Sequence, residues 1–334
     1  MATIKDVAKD AGVSTATVSR VVNNSPKASQ KSVDAVKLSM RKLGYRPNAN
    51  ARALVNKNTH TIGVLVGDIS DPFFGSMIKS IDTVARENNK QVLIGNGYHN
   101  ANDERAAIEL LINSRCDSLI IHSKALTDDE LLSFAQEVPG MIIMNRVIPE
   151  IANRCIALDN FTGTYLATDF LIRNGHKEIA WISSNHHIED SEQRKRGYLK
   201  AFSEHQLTPN PEYFEFEQPN VQGGEQAMNN LLSKDVNITA VVAYNDYMAA
   251  GALSTLDDNN IKVPEKISII GFDDGLIAQF VHPKLTTVRY PIELMAEQAT
   301  KLSLSLAQGN NPIKTQLNLF KATLIKRLSV KNIC

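Results

Sequence analysis

From Thr61 onward the sequence alternates short apolar runs with amphipathic segments, and this alternation restricts the fold more than any other feature. Near-continuous apolar runs separated by helical periodicity are typical of parallel sheets that helices cover on both faces. The pattern contains about ten such strand-helix steps, which is too many for one six-stranded sheet. We therefore predict an α/β body of two side-by-side Rossmann-like lobes, and the segment LTTVRYP at 285–291 offers a route back to the first lobe.

The same alternation sets the expected bounds of the elements. We predict strands at 61–68, 91–96, 118–123, 141–146, 156–159, 178–184, 240–246 and 266–274. We predict helices at 74–89, 101–113, 127–136, 161–174, 192–204 and 225–232, and a further helix that ends at Asn259.

The first 23 residues predict two short helices joined by a tight turn. Thr3 is a candidate N-cap with Asp6 in the first turn, and Gly12 permits a sharp turn before a second cap at Ser14. This is a helix-turn-helix pattern, although an ordinary helical hairpin gives the same signal. The second helix carries small or polar residues that suit base edges and phosphates: Thr15, Ala16, Thr17, Ser19 and Arg20.

Charge supports DNA binding by this segment. Residues 1–60 hold eleven Lys or Arg against three Asp, a net charge of +8, whereas the whole chain carries 36 residues of each sign. The remainder therefore carries −8. A basic head on an acidic body is the electrostatic pattern of a nucleic-acid module attached to a domain that does not bind DNA.

After the helix pair, Ser29 is a candidate cap for a third helix that runs to about Leu43 and ends at Gly44. The next segment, NANARAL at 48–54, has mixed helix propensity and is too short to be a stable helix alone. It is either a plain linker or a hinge that becomes helical only against DNA and a partner chain.

Several classes of protein do not fit the sequence. No apolar run approaches the ~20 residues that span a bilayer, and the polar, basic N-terminus lacks a signal-peptide core, so we expect a cytoplasmic protein. The three cysteines form neither a metal-ligand pattern nor a disulfide framework. Phosphate-loop, nucleophile-elbow and metal-helix motifs are absent, and His186-His187 is read as a solvated loop, so we expect neither a metal nor an enzyme.

Polar residues follow several of the predicted strands. Ligands of parallel α/β lobes bind beyond the carboxyl ends of the strands, so these residues predict a polar site between the lobes. Carboxylates, amides and an arginine fork suit sugar hydroxyls, and Phe73 and Phe74, in the loop after the first strand, offer aromatic cover. The strand-end residues are Asp68, Asn145, Arg146, Asn185, Asn245, Asp246, Asp273 and Asp274, and Arg194 lies on the following helix.

These motifs resemble the lactose-repressor type family of bacterial transcription regulators, and among them the galactose-responsive repressors. The resemblance covers essentially the whole chain. It rests on TIKDVAKDAGVSTATVSRVVNN with NANARAL, and on GDISDPFFG, IGNGYHN, NRCIALD, GGEQAM, YNDYMAAGA, SIIGFDD and LTTVRYPI.

The resemblance implies a homodimer on a near-palindromic operator, with a body like the periplasmic sugar-binding proteins. It implies a head at 1–46, a hinge at 47–60, a first lobe of 61–160 plus 290–320, and a second lobe of 161–289 plus 321–334. The expected DNA-binding residues are Thr15, Ala16, Thr17, Ser19, Arg20, Asn23, Asn48, Ala53 and the wedge Leu54. The expected effector-binding residues are Asp68, Phe73, Phe74, Asn145, Arg146, Arg194, Asn245 and Asp273.

The implied function is repression of sugar transport and catabolism genes, most readily by release from the operator when D-galactose binds. A regulator with another effector or a co-repressor stays open, and an exported sugar-binding receptor or a sugar-modifying enzyme fits less well. Two departures from the family matter. Pro219 and Asn220 stand where relatives place an aromatic residue over the ligand, and no tetramer-forming heptad tail follows the body up to Cys334.

Overall fold

The computed structural model describes residues 2–23, 25–46, 59–186, 188–234, 236–310 and 318–334. The chain divides into two compact units, residues 1–59 and residues 60–334. The predicted hinge at 47–60 lies almost entirely outside the described residues.

The described residues of the N-terminal unit form a head of three helices, α1 Ile4–Asp10, α2 Thr15–Val22 and α3 Gln30–Leu43. Each helix begins at the hydroxyl cap expected from the sequence. Thr3 and Asp6 form a reciprocal capping box, while Ser14 accepts the backbone N–H of Thr17. The turn between α1 and α2 needs Gly12, which has φ +64°. The buried side chains between the helices are Val7, Ala8, Val18, Val21 and Val36.

The second unit alternates strands and helices from residue 61 to residue 325. Its strands are β1 Thr61–Val66, β2 Gln91–Asn96, β3 Ser118–Ile121, β4 Met141–Met144, β5 Cys155–Leu158, β6 Ile179–Ser184, β7 Phe214–Glu217, β8 Ala240–Ala243, β9 Ser268–Asp273, β10 Thr286–Arg289, β11 Asn318–Phe320 and β12 Thr323–Ile325. Its helices are α4 Pro72–Glu87, α5 Ala101–Asn113, α6 Asp128–Glu137, α7 Asn160–Arg173, α8 Glu189–Glu204, α9 Val221–Ser233, α10 Asp246–Asp258, α11 Leu276–Phe280 and α12 Ile292–Ala307.

The strands form two six-stranded sheets, which confirms the predicted α/β class with two lobes. The first sheet has the order β11-β5-β4-β3-β1-β2 and the second has the order β12-β10-β9-β8-β6-β7. Among the described residues, all strand pairs are parallel except β10 with β12. Central strands such as β3 and β4 are buried at every residue, because helices cover both faces of each sheet.

The chain passes between the two lobes three times. It leaves the first sheet after β5, returns after β10 and leaves again between β11 and β12. The segment 285–291 therefore stays in the second sheet as far as Arg289, and α12 is the element that brings the chain back. A hydroxyl of α4, Ser80 Oγ, donates to the Glu293 carbonyl of α12 at 2.7 Å. Ser303 Oγ of α12 donates to the Gly140 carbonyl at 2.6 Å.

The sequence pattern missed the strands β7, β10, β11 and β12 and the helices α11 and α12, and it placed several helix starts too late. Phe214–Glu217 is an edge strand whose Phe and Glu residues alternate, so it lacks the continuous apolar run that marks the central strands. Helix α4 begins at Pro72 behind the Asp71 cap, so Phe73 and Phe74 lie in its first turn and not in a loop. Within the described residues, no helix is both long and apolar enough to cross a membrane.

Candidate nucleic-acid interface and ligand cleft

Helix α2 turns an uncovered polar face outward within the head. Thr15, Ala16 and Arg20 are exposed, while Val18 and Val21 on the opposite side are buried. The Ser14 cap fixes the start of the helix, so its first turn presents Thr15 and Ala16 to solvent rather than to the core. The predicted Thr17 and Ser19 are half-buried, and Asn23 is exposed just after the helix. Asn48, Ala53 and Leu54 lie outside the described residues.

A cavity of about 90 Å³ lies between the two lobes of the second unit, beyond the carboxyl ends of the strands. At about 30 Å³ of liquid volume for each water molecule, this space holds about three waters, so any ligand here is small. The structure brings six of the predicted effector residues to its wall: Phe73, Phe74, Asn145, Arg194, Asn245 and Asp273.

The wall of the cavity carries unsatisfied polar atoms. Among the described residues, buried side-chain atoms without a hydrogen-bond partner include five on cavity-lining residues: His99 Nδ1, His122 Nδ1, Asn145 Oδ1, Asp190 Oδ1 and Tyr290 Oη. Buried polar atoms normally have partners, because an unsatisfied one costs free energy. Their grouping around one cavity indicates a site for a ligand that is rich in hydroxyls.

Asp273 and Arg194 lie next to each other in the wall of the cavity. Arg194 Nε donates to Asn160 Oδ1 at 2.9 Å, and Arg194 Nη2 lies 3.8 Å from Asp273 Oδ1. The guanidinium also lies over the Phe272 ring, 3.6 Å from its centroid. Burial raises the pKa of the Asp273 carboxyl well above its usual range, although Arg194 opposes the shift. Asp273 has φ +112°, a strained backbone conformation of the kind that concentrates at functional sites.

Three histidines line the cavity, and sequence reasoning did not select them. The ring of His99 in the first lobe lies 5.6 Å from that of His186 in the second lobe, and the ring of His122 lies 4.8 Å from that of Phe74. Burial, and then His186, lower the pKa of His99. Burial, and then Lys124, lower the pKa of His122 well below its usual value. Both rings are therefore neutral near pH 7, each with one donor and one acceptor nitrogen.

Two predicted effector residues lie away from the cavity. Asp68 Oδ1 accepts from the backbone N–H and the hydroxyl of Ser70, so it closes a local turn, and Asp71 contributes the cavity carboxylate of this segment. Arg146 binds Asp128 at 2.5 Å and the Leu126 carbonyl at 2.7 Å, beside a separate cavity. Their places at strand ends reflect loop structure rather than the wall of the cleft.

Two other strand-end carboxylates also serve the fold. Asp246 accepts from Thr287 Oγ1 at 2.6 Å and from the Gly275 backbone N–H at 2.8 Å. Asp274 pairs with Arg289 at 2.7 Å and with Arg327 at 2.5 Å. Asn245 has a role in the site and a role in the fold, because it lines the cavity and also caps α10 by accepting the Met248 backbone N–H.

Some of the cavity-lining residues that the sequence analysis did not select can be recognised from their places in the sequence. His122 directly follows β3, so the strand-end rule that selected Asn145 applies to it equally. Lys124 and Asp190 approach the cavity from opposite lobes, and their ion pair is visible only in the folded chain. Tyr290 follows β10, and its ring meets the Phe73 ring edge-on at 5.0 Å between centroids.

Comparison with known families places both parts of the chain. Residues 3–48 match the family described as bacterial regulatory proteins, lacI family. Residues 168–330 match the family described as periplasmic binding protein-like domain.

Curated relatives match almost the whole chain. The HTH-type transcriptional regulator GalR of Escherichia coli K12 is 53% identical over 330 residues, which cover 99% of this chain and 96% of that protein. GalS of Salmonella typhimurium LT2 is 51% identical over 99% of this chain and 97% of that protein. The transcriptional repressor CytR of E. coli K12 is 35% identical over 93% of this chain and 91% of that protein.

Solved structures share the architecture. A lac repressor dimer bound to operator and the anti-inducer ONPF has a TM-score of 0.84 and 25% identity, and the match covers 99% of both chains. A complex of the transcriptional regulator CelR with cellobiose has a TM-score of 0.72 and 26% identity, over 98% of this chain and all of that chain.

Proposed function

This chain belongs to the LacI family of bacterial regulatory proteins, and on that premise we propose that D-galactose is the effector that releases it from its operator. It is a DNA-binding repressor that responds to a sugar and acts as a dimer. The proposed target genes serve galactose uptake and breakdown, and the proposed place of action is the cytoplasm, at the operator. We propose binding without turnover, since the relatives are named as transcriptional regulators.

The observation that carries this proposal is the cavity between the lobes. It places carboxylate, amide, guanidinium and imidazole groups around one small space, several of them with unsatisfied atoms. Phe73, Phe74 and Tyr290 supply aromatic faces beside these polar groups. Sugars present both hydroxyls and an apolar ring face, so this mixture suits a monosaccharide. The choice of galactose among the monosaccharides rests on the resemblance of the sequence motifs to the galactose-responsive repressors.

The lobes give the cavity a means of control. Asn145 and Phe74 reach the cavity from the first lobe, while Arg194 and Asp273 reach it from the second. A ligand that binds both sets stabilises one relative orientation of the lobes. If operator DNA favours a different orientation, the two ligands weaken each other's binding by the same factor.

The test is a linkage measurement by calorimetry. The DNA is a palindromic duplex selected from random sequence by the protein itself. We expect the dissociation constant of D-galactose to rise when this duplex is present, and the duplex to bind more weakly by an equal factor when D-galactose is present. Equal affinities in the two conditions would exclude galactose-driven release, whereas tighter operator binding would identify a co-repressor.

A variant locates the site. Asp273→Asn replaces one carboxyl oxygen with an amide NH₂ and so removes an acceptor for a sugar hydroxyl, so operator binding persists while release by galactose fails. Asp68→Asn is the matched control, because Asp68 lies outside the cavity and bonds only within its own turn. Normal galactose binding by the Asp273 variant would place the site elsewhere.

A further inference from the structure

A second cavity adjoins the ligand cleft. Its volume is about 420 Å³, against about 90 Å³ for the cleft. Four residues line both spaces and therefore lie between them: Lys124, Asn145, Ile188 and Asp190. This flanking cavity is lined by amide, charged and apolar side chains, which include Asn160, Gln193, Asp128, Arg146, Glu189, Val147 and Leu319.

A buried ion pair forms the boundary between the two spaces. Lys124 Nζ of the first lobe lies 3.1 Å from Asp190 Oδ2 of the second lobe, and the two side chains are only 5% and 6% exposed. Asn145 Nδ2 donates to the same Asp190 oxygen at 3.1 Å, and Lys124 Nζ donates to the Asn145 carbonyl at 3.1 Å. These three residues thus close on one another across the gap between the lobes.

In the first lobe, hydrogen bonds to Glu104 fix the loop that carries Lys124. Glu104 is fully buried and accepts the backbone N–H groups of Lys124, Ala125 and Leu126, and also the hydroxyl of Ser123. This carboxylate fixes the loop that carries Lys124. Burial would raise the pKa of Asp190, but Lys124 and Arg194 outweigh it and lower that pKa to about 2. The Asp190 carboxylate therefore stays ionised at neutral pH.

From this arrangement we propose that Lys124 and Asp190 form a partition that restricts the effector to a single sugar ring, and that the flanking cavity takes a second ring once the partition is removed. The inference rests on the proposed function, since it takes D-galactose as the ligand of the cleft. Both residues are specificity-determining on this view, because they exclude galactosides by occupying the space next to the first ring.

The chemistry of the flanking cavity supports a sugar ring as its occupant. Asn160 and Gln193 carry amide groups, and Arg146 adds a guanidinium that already binds Asp128. Val147 is 40% exposed and Leu319 is 44% exposed, so apolar surface lies beside these polar groups. Hydroxyls and an apolar ring face match this lining in the same way as they match the cleft.

The experiment measures affinities by calorimetry for the full chain and three variants. The ligands are D-galactose, its mono-O-methyl derivatives, and α- and β-linked galactosyl-glucose disaccharides. Lys124→Ser opens the partition. Lys124→Ser/Asp190→Asn opens it without leaving a buried carboxylate unpaired. Arg146→Ser is the matched control, because it enlarges only the flanking cavity and leaves the partition in place.

We expect the unchanged protein to bind D-galactose and to bind every disaccharide at least about tenfold more weakly. At least one disaccharide should gain about tenfold or more, relative to galactose, in a Lys124 variant, and none should gain in the Arg146 variant. The inference is overturned if the unchanged protein binds a disaccharide as well as galactose, or if the folded Lys124 variants bind galactose with no such gain. It is also overturned if both Lys124 variants lose galactose, since the pair would then contact the first ring itself. If the unchanged protein does not bind galactose, the proposed function fails instead.

Discussion

The ring of His99 occupies the space that a side chain at Gly67 would need. A Cβ at Gly67 would lie 2.3 Å from His99 Cε1, which is far closer than two carbon atoms approach without a bond. His99 and the preceding Tyr98 both have positive φ, +53° and +49°, a conformation that residues other than glycine seldom adopt. The positive φ angles of Tyr98 and His99 and the absence of a side chain at Gly67 together place the His99 ring at the cavity, where its Nδ1 has no hydrogen-bond partner.

Gly67→Ala should therefore weaken sugar binding by roughly tenfold, since the His99 ring must move and its hydrogen bond with the ligand is lost. Calorimetry with D-galactose measures the change. Gly75→Ala is the control, because a Cβ there meets nothing within 4 Å and the residue lies within α4. An unchanged affinity in the Gly67 variant would show that the position of His99 does not matter for the ligand.

Asp246 should make the protein less stable at alkaline pH. Burial raises the pKa of its carboxyl from 3.8 to about 7, against the opposing hydrogen bonds from Thr287 and Gly275. Between these two values the folded chain holds a proton that the unfolded chain releases, so the free energy of unfolding falls as the pH rises through this range. Above the folded-state pKa the full cost is present.

The matching measurement compares Asp246→Asn with the unchanged protein by thermal unfolding at pH 5 and pH 8. The melting temperature of the variant, relative to the unchanged protein, should be higher at pH 8 than at pH 5. Asp68→Asn should show no such gain, because hydrogen bonds from Ser70 lower the pKa of Asp68. A constant difference for Asp246→Asn at both pH values would contradict the assignment.

Glu104→Gln should lower both stability and sugar affinity. An amide at this position brings two N–H donors toward backbone N–H groups that the carboxylate now accepts. Hydrogen bonds to a charged group contribute about 1.5–3 kcal/mol each, so we expect a loss of about 2 kcal/mol or more in the free energy of unfolding. Denaturant titration measures that loss, and calorimetry reports whether the loop of Lys124 still supports the cleft. Glu109→Gln on the exposed face of α5 should change neither quantity.

Arg20→Ala should cost about 1–3 kcal/mol of operator binding if the guanidinium reads a base edge, while binding to random DNA changes less. Arg20 is exposed in the last turn of α2. Lys42→Ala is the control, because Lys42 Nζ already pairs with Asp10 at 2.6 Å. Equal losses on selected and random duplexes would make Arg20 a phosphate contact.

Operator binding by the unchanged protein should weaken steeply as the salt concentration rises, because residues 1–60 carry a net charge of +8.

The strand-end rule recovered part of the cleft from sequence because parallel strands deliver their carboxyl ends to a common edge. Asn145 and Asp273 follow that rule, and the structure places both at the cavity. The rule also selected Asp68 and Asp246, because a carboxylate after a strand is equally useful as a turn or helix anchor. Only the surrounding donors separate the two uses, and these come from distant parts of the chain.

The places of His99 and Asp190 in the wall of the cavity could not be predicted from hydrophobic periodicity. His99 reaches the cleft through two left-handed residues and an empty space at Gly67. Asp190 lies in the first turn of α8, which begins at Glu189, whereas the apolar pattern predicts a start at Glu192. Helix starts are set by local caps and loops, while the apolar pattern marks only the stretch that packs on the sheet.

The two units are completed at different times during synthesis of the chain. The described helices of the head, α1 to α3, are complete once residue 44 has left the ribosome, whereas β11 and β12 complete the two sheets only at residues 318–325. Strand β11 pairs with β5, which was made about 160 residues earlier. The edge of β5 that binds β11 therefore stays unpaired until residue 318 has been synthesised. A chain that is stalled or cleaved before residue 318 keeps a whole head but lacks a strand of each sheet. Truncation therefore removes the response to ligand before it removes the part that reads DNA.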